Sequence, residues 1–167
     1  MSIKDTIRGK GSGFCALLLT LAVLGSGFPA SAGDVSPSGV TRHIHWYAYK
    51  DSLELGRKEG KKIFVNFYAD WCRYCVKMDK ETFRDPAVVD YLNRHFISAK
   101  VNSDTQRQVA EKYHVRGLPS TWFLAENGEA IGSLPGYIPA KMLLKILGFV
   151  ESESYKKMTF EQYLKKL

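Results

Sequence analysis

Cys72 and Cys75 are the residues whose types and spacing could do chemistry, three positions apart in Ala69-Asp70-Trp71-Cys72-Arg73-Tyr74-Cys75. They follow the apolar run Ile63-Phe64-Val65-Asn66-Phe67-Tyr68 and stand at the head of a stretch that reads as a helix. Residues i and i+3 of a helix share a face, so the two Cα atoms can come within the roughly 4.4–6.8 Å that a disulfide tolerates. Such a pair opens and closes with little backbone movement. The first cysteine stands where unpaired N–H groups and the positive end of the helix dipole favour an anion. Helix N-termini and Cys-x-x-Cys pairs lower a cysteine pKa from about 8.5 to roughly 3.5–7.5, and the thiolate is the attacking form in disulfide exchange. The pattern assigns Cys72 as nucleophile and Cys75 as resolving thiol. The competing reading is a plain staple, but a bridge closing so short a loop stabilises weakly.

The segment before this pair reads as an export signal. Lys4, Arg8 and Lys10 make a basic start, Phe14 to Leu24 is an 11-residue apolar stretch, and Ala30-Ser31-Ala32 is a small-x-small cleavage site. The expected division is a signal peptide over 1–32, a flexible Gly, Ser and Pro-rich leader over 33–41, one folded domain over 42–150 and a helical extension over 151–167. Eleven apolar residues fall well short of the ~20 that span a bilayer, which disfavours a permanent anchor. Cys15 lies inside the apolar stretch and away from the cleavage point, so it reads as packing filler that is lost on cleavage.

Lys4, Arg8 and Lys10 against Asp5 give the signal +2, leaving +5 of the whole chain's +7 for the remaining 135 residues. That excess is dispersed. Basic and acidic residues alternate along the expected helices, the pattern of a solvated face, and the sequence points to no nucleic-acid partner. With Cys72 and Cys75 the only cysteines left after cleavage, a multi-bridge framework is excluded.

The elements that must position the pair follow from periodicity. Ile44 and Trp46 alternate with His43 and His45 as in a half-buried strand; two such histidines could begin a metal site, but no further ligand is near in sequence. Tyr49 to Glu59 reads as a helix ended by Gly60, and Ile63 to Tyr68 as a strand buried on both faces with Asn66 its polar exception. A helix runs from Cys72 to about Phe83, and Asp85-Pro86 caps and opens the next, with Val88, Val89 and Leu92 inward. Phe96 to Val101 alternates as a strand, Asn102-Ser103-Asp104 turns, and Thr105 to His114 is helical, with Val109 and Tyr113 one turn apart. Ser120 to Ala125 and Glu129 to Ser133 form a hairpin about Asn127-Gly128. Pro139 then starts a helix with Met142, Leu143, Ile146, Leu147 and Val150 on the core side. Thr159 and Gln162 resemble a capping box for a last helix whose stripe is Phe160, Tyr163, Leu164 and Leu167, expected to dock on the domain.

From Ile44 to Val150 the chain resembles a thioredoxin-fold protein. The resemblance rests on Trp71-Cys72-Arg73-Tyr74-Cys75 after a buried strand, Gly117-Leu118-Pro119-Ser120 some 45 residues later, and Asn127-Gly128 at the hairpin. The segment from Tyr68 through Cys72 to Asp85-Pro86 is similar to exported thioredoxin-like domains, including the C-terminal domain of the DsbD reductase and SoxW-like proteins. This implies an α/β thioredoxin fold, a central mixed sheet flanked by helices, here with an extra C-terminal helix. It implies a cis-proline at Pro119, with the Leu118 backbone and Trp71 forming a surface for an extended substrate, and Lys100 near the buried side of the site. Gly136 matches the family's glycine after the last strand. Two departures stand out. Asn66 occupies the place of the family's buried Asp, and an amide cannot titrate; Asp79, on the helical face of both cysteines, is the candidate replacement, against a reading as a solvated helix carboxylate. Arg73-Tyr74 replaces Gly-Pro between the cysteines, leaving the redox potential open.

The resemblance implies an exported, periplasmic protein-disulfide oxidoreductase that reduces disulfides by dithiol exchange. It implies no bound cofactor or metal, disulfide-containing protein substrates, a membrane electron donor of the DsbD or CcdA kind, and a monomer. The alternatives are a disulfide oxidase or isomerase, a redox-silent peptide-binding module, and a Cu(I) carrier using the two thiolates.

Overall fold

Five consecutive side chains, Ile63 to Phe67, are withdrawn from solvent, so the strand that carries them must be covered on both faces. It is the middle of a five-stranded sheet. The computed structural model describes residues 43–167; the expected signal, Cys15 and the leader lie outside the described residues. In chain order the elements are β1 (Trp46–Tyr47), α1 (Tyr49–Glu59), β2 (Lys62–Tyr68), α2 (Arg73–Glu81), α3 (Pro86–His95), β3 (Phe96–Asn102), α4 (Arg107–Lys112), β4 (Ser120–Leu124), β5 (Ala130–Pro135), α5 (Ala140–Glu151), a 3-10 turn at Ser154–Lys156, and α6 (Phe160–Leu164). The sheet order is β1-β3-β2-β4-β5, parallel among the first three strands and antiparallel at β4 and β5. This is the thioredoxin fold that the resemblance implies.

Alternation along β2 sorts its side chains between two cores. Phe64 packs with Met78, Leu92, Phe123 and Leu147, which brings in α2, α3 and α5. Ile63, Val65 and Phe67 pack with Tyr49, Ala110 and Tyr113, which brings in α1 and α4. α1 lies close because Gly56 has no side chain: a Cβ there would sit 2.8 Å from Ile63 Cδ1. It ends at Gly60, φ +63°, whose N–H donates to Gly56 O, the αL cap that a glycine accepts without steric cost.

The caps fall where the sequence puts them. Asp85 Oδ1 accepts from the N–H groups of Ala87 (2.9 Å) and Val88 (3.2 Å), with Pro86 opening α3. Gly128 turns the hairpin at φ +88°. The capping box at Thr159 and Gln162 is formed, and the rings of Phe160 and Tyr163 each lie 5.3 Å from that of Phe149, docking α6 on α5. Gly148 permits the approach, since a Cβ there would be 2.8 Å from the Tyr163 hydroxyl.

Four expectations need correction. β3 is not half-buried: Phe96 to Ala99 are all buried, because α3 and α5 cover one face of the strand and α1 and α4 the other. α4 is shorter than 105–114: Asn102 Oδ1 takes the N–H groups of Asp104 (2.9 Å) and Thr105 (3.4 Å), so the turn uses up the residues before Gln106. Met142 is 40 % exposed, just off the Leu143, Ile146, Leu147 and Val150 stripe. Leu167 is 71 % exposed and lies beyond the end of α6. Among the described residues no helix is long and apolar enough to cross a membrane.

Candidate active site

β2 ends at Tyr68 and delivers the cysteine pair to the start of α2. Cys72 is the N-cap, with extended backbone (φ −78°, ψ 104°), and its Sγ accepts from the Cys75 N–H at 3.2 Å. A sulfur thus fills the place that a Ser or Asp oxygen commonly takes, and a donor points at the atom expected to carry charge. The two cysteines form a disulfide with Cα atoms 5.2 Å apart. Both are buried, packed with Ala69 and against Tyr68 and Leu118.

Leu118 arrives from the other side of the chain, in the segment that enters β4. The Leu118–Pro119 peptide is cis, as the resemblance implies. Pro119 O accepts from Gly136 N–H at 2.7 Å, and Gly136 takes φ +89°, so the end of β5 is fastened behind the proline. Around the buried sulfurs the rim is aromatic and open: Trp71 is 71 % exposed and Tyr74 63 %.

The loop before Cys72 is tied to the turn after β3 by contacts that the sequence does not announce. Trp71 Nε1 donates to Asp104 Oδ2 (2.9 Å), Asn102 Nδ2 to Asp70 Oδ2 (3.3 Å), and Ser103 N–H to Tyr68 O (2.8 Å). Asn102 therefore both closes its own turn and holds the loop. The local signal was the Asn-Ser-Asp turn; its partners lie some thirty residues away.

Asp79 and Lys100, expected separately beside the cysteines, are brought to each other. Lys100 Nζ is 2.7 Å from both Asp79 oxygens, and it lies 4.6 Å from the Tyr68 ring centroid and 5.7 Å from that of Trp46. Asn66 is buried and its Nδ2 donates to Thr121 Oγ1 at 3.4 Å, so no titratable group stands at that position. Across the sheet, burial and then a 2.8 Å hydrogen bond to the Tyr49 hydroxyl push the Tyr113 pKa well above that of an ordinary phenol. Tyr113 therefore stays neutral at neutral pH. His43 and His45 are exposed, and among the described residues no three His, Cys, Asp or Glu side chains converge to hold a metal.

The chain is similar to known proteins. The chain is 42 % identical over 74 residues to the thiol:disulfide interchange protein DsbD of Photorhabdus laumondii, covering 42 % of this chain and 13 % of that one. It is 30 % identical over 146 residues to DsbD of Yersinia pestis, covering 80 % and 24 %. The chain thus spans under a quarter of the length of these relatives. A thioredoxin from Thermus thermophilus superposes with a TM-score of 0.60 at 31 % identity, over 65 % of this chain and 87 % of that one. The family model described as a thioredoxin-like domain matches residues 49–151, from the first helix to the end of α5, and the chain belongs to that family.

Proposed function

We propose that this chain is an exported thiol-disulfide oxidoreductase that reduces protein disulfides. The observation that carries the reading is the N-cap geometry of Cys72, whose Sγ faces the Cys75 N–H with Leu118 packed against the pair. In the reduced enzyme the Cys72 thiolate attacks one sulfur of a substrate disulfide. That S–S bond breaks, a mixed disulfide forms, and the departing substrate sulfur takes a proton. Cys75 then loses its proton and attacks Cys72 Sγ, releasing the second substrate thiol. Two electrons have passed from the cysteine pair to the substrate, leaving the Cys72–Cys75 disulfide. A dithiol donor must reduce it again; the DsbD relatives support a membrane partner of the DsbD or CcdA kind. The basic, apolar and Ala30-Ser31-Ala32 segments support export.

The exposed rim of Trp71 and Tyr74, with the Leu118 backbone, suits an extended chain laid beside the sulfurs. Purified protein should accelerate insulin reduction by dithiothreitol, read as precipitation of the released chains. No acceleration, together with tight binding of one Cu(I), would replace this reading by the carrier. The opposite direction, oxidation, is favoured by one observation: Arg73 makes no ion pair among the described residues, whereas Asp79 is paired to Lys100. An unpaired cation beside Cys72 stabilises the thiolate form. Equilibration with glutathione measures the balance.

The proton that Cys75 must lose has no buried Asp to receive it, and we assign that role to the Asp79–Lys100 pair. Asp79→Asn should slow resolution of the mixed disulfide about a hundredfold at neutral pH, at the low end for a general base. The first attack by Cys72 should change less than twofold (on the order of 0.4 kcal/mol), and Asn66→Asp should restore part of the loss. Stopped-flow separation of the two phases checks this, and an unchanged second phase would make Asp79 a solvated helix carboxylate.

A further inference from the structure

We propose that the C-terminal extension completes a binding pocket for a small neutral aromatic molecule, of the size of a phenol or an indole. The pocket has a volume of about 190 Å³ and lies between β5, α5, the 3-10 turn and α6. Phe123, Ile146 and Val150, all buried, form its floor. Tyr155 and Phe160 wall it from the extension, beyond the residues 49–151 that match the thioredoxin-like domain. None of the residues that line it belongs to the cluster around Cys72 and Cys75.

Two features make the space. Gly132 stands opposite Phe123 in the β4–β5 pairing, so a side chain there would share the face of Phe123, toward α5. A Cβ at Gly132 would meet nothing within 4 Å, and its φ lies outside the left-handed region. Neither a turn nor a close approach asks for glycine at this point. A glycine inside a strand weakens it, and what this one leaves is open room over Phe123. The second feature is the aromatic wall. The Phe149 ring meets Tyr155 at 6.5 Å and 72°, and Phe160 at 5.3 Å and 64°, so edge-to-face contacts hold the rings of the extension in place.

Size and polarity select the occupant. An apolar cavity of about 150 Å³ takes up benzene, so this one has room for a ring system of roughly six to nine heavy atoms. No charged side chain lines the pocket, and its only polar side chains are the hydroxyls of Ser133 and Tyr155. An ionised ligand would lose hydration without gaining a counter-ion. A phenol O–H or an indole N–H would lose little, because a hydroxyl can accept from it.

The test uses the full chain with the cysteine pair oxidised and indole as the probe, followed through backbone amide NMR shifts. Indole should saturate shifts at Gly132, Phe149 and Phe160 with a Kd of about 0.1–1 mM, the modest affinity of a fragment-sized ligand. Benzoate, similar in size but charged, should bind at least about tenfold more weakly. Gly132→Val puts a strand-favouring side chain into the open room and should weaken indole about tenfold or more. Its insulin reduction should stay within about twofold of wild type, as expected for a distant site. Phe160→Ala removes one wall and should also weaken indole, which decides the matter if Gly132→Val does not fold. Shifts that stay linear up to about 5 mM, that map elsewhere, or that are unchanged in the folded variants overturn the inference. So does benzoate binding as tightly as indole. A dimer that Gly132→Val dissociates, with no indole shifts, would give the pocket to a second copy of the chain and overturn it as well.

Discussion

Cys72→Ser should lower the rate of insulin disulfide reduction about a thousandfold or more, as loss of a nucleophile does in enzymes that work through a covalent intermediate. Serine keeps the size and the N-cap hydrogen bond to the Cys75 N–H, so the start of α2 should persist and the loss should report chemistry. Cys75→Ser should behave differently. Its Cys72 can still attack, but nothing resolves the product, and intact mass should show substrate held on Cys72 until a small thiol is added. A Cys72→Ser variant with wild-type activity would place the nucleophile elsewhere.

The largest effect on stability should come from Phe64→Ala. Phe64 is fully buried in the central strand, and its ring lies 6.2 Å from Trp46, 5.9 Å from Phe83 and 5.7 Å from Phe123, measured between centroids. Truncation removes the apolar contact and leaves a cavity at the meeting of α2, α3, α5 and the sheet. The expected cost is about 3–5 kcal/mol, a large part of the roughly 5–15 kcal/mol that holds a domain folded. Urea unfolding should show a much lower midpoint with a similar slope. Phe64→Leu, which keeps most of the volume, should cost less than half as much. Equal losses for both would mean that ring-to-ring geometry outweighs volume.

What the sequence made legible was decided locally. The αL cap at Gly60, the Asp85-Pro86 start, the Asn127-Gly128 turn and the Thr159 capping box each use hydrogen bonds or dihedrals within a few residues. The cysteines were legible for the same reason: a thiol at i and another at i+3 read as a pair wherever a helix begins. What escaped depends on distant neighbours. Ser98 and Ala99 look like half of an alternating strand until helices from distant parts of the chain cover both faces of β3. Asp79 and Lys100 were each placed near the sulfurs, but no local rule pairs residues from a helix and a strand 21 positions apart. The hydrogen bonds from Trp71 to Asp104 and from Asn102 to Asp70 were hidden in the same way. Met142 shows the limit of periodicity itself, since a side chain at the border of an apolar stripe is turned in or out by its neighbours.

The strand order also bears on synthesis. Trp46 pairs with Ser98, so β1 leaves the ribosome with no partner until β3 follows. Cys72 and Cys75 emerge between the two, ahead of the Leu118–Pro119 segment that packs beside them. For that interval the growing chain carries a reactive dithiol on an incomplete sheet. The four-residue span from Cys72 to Cys75 keeps both thiols on one segment, so a disulfide that meets the pair can hand over its bond and leave as two thiols without help from the later strands.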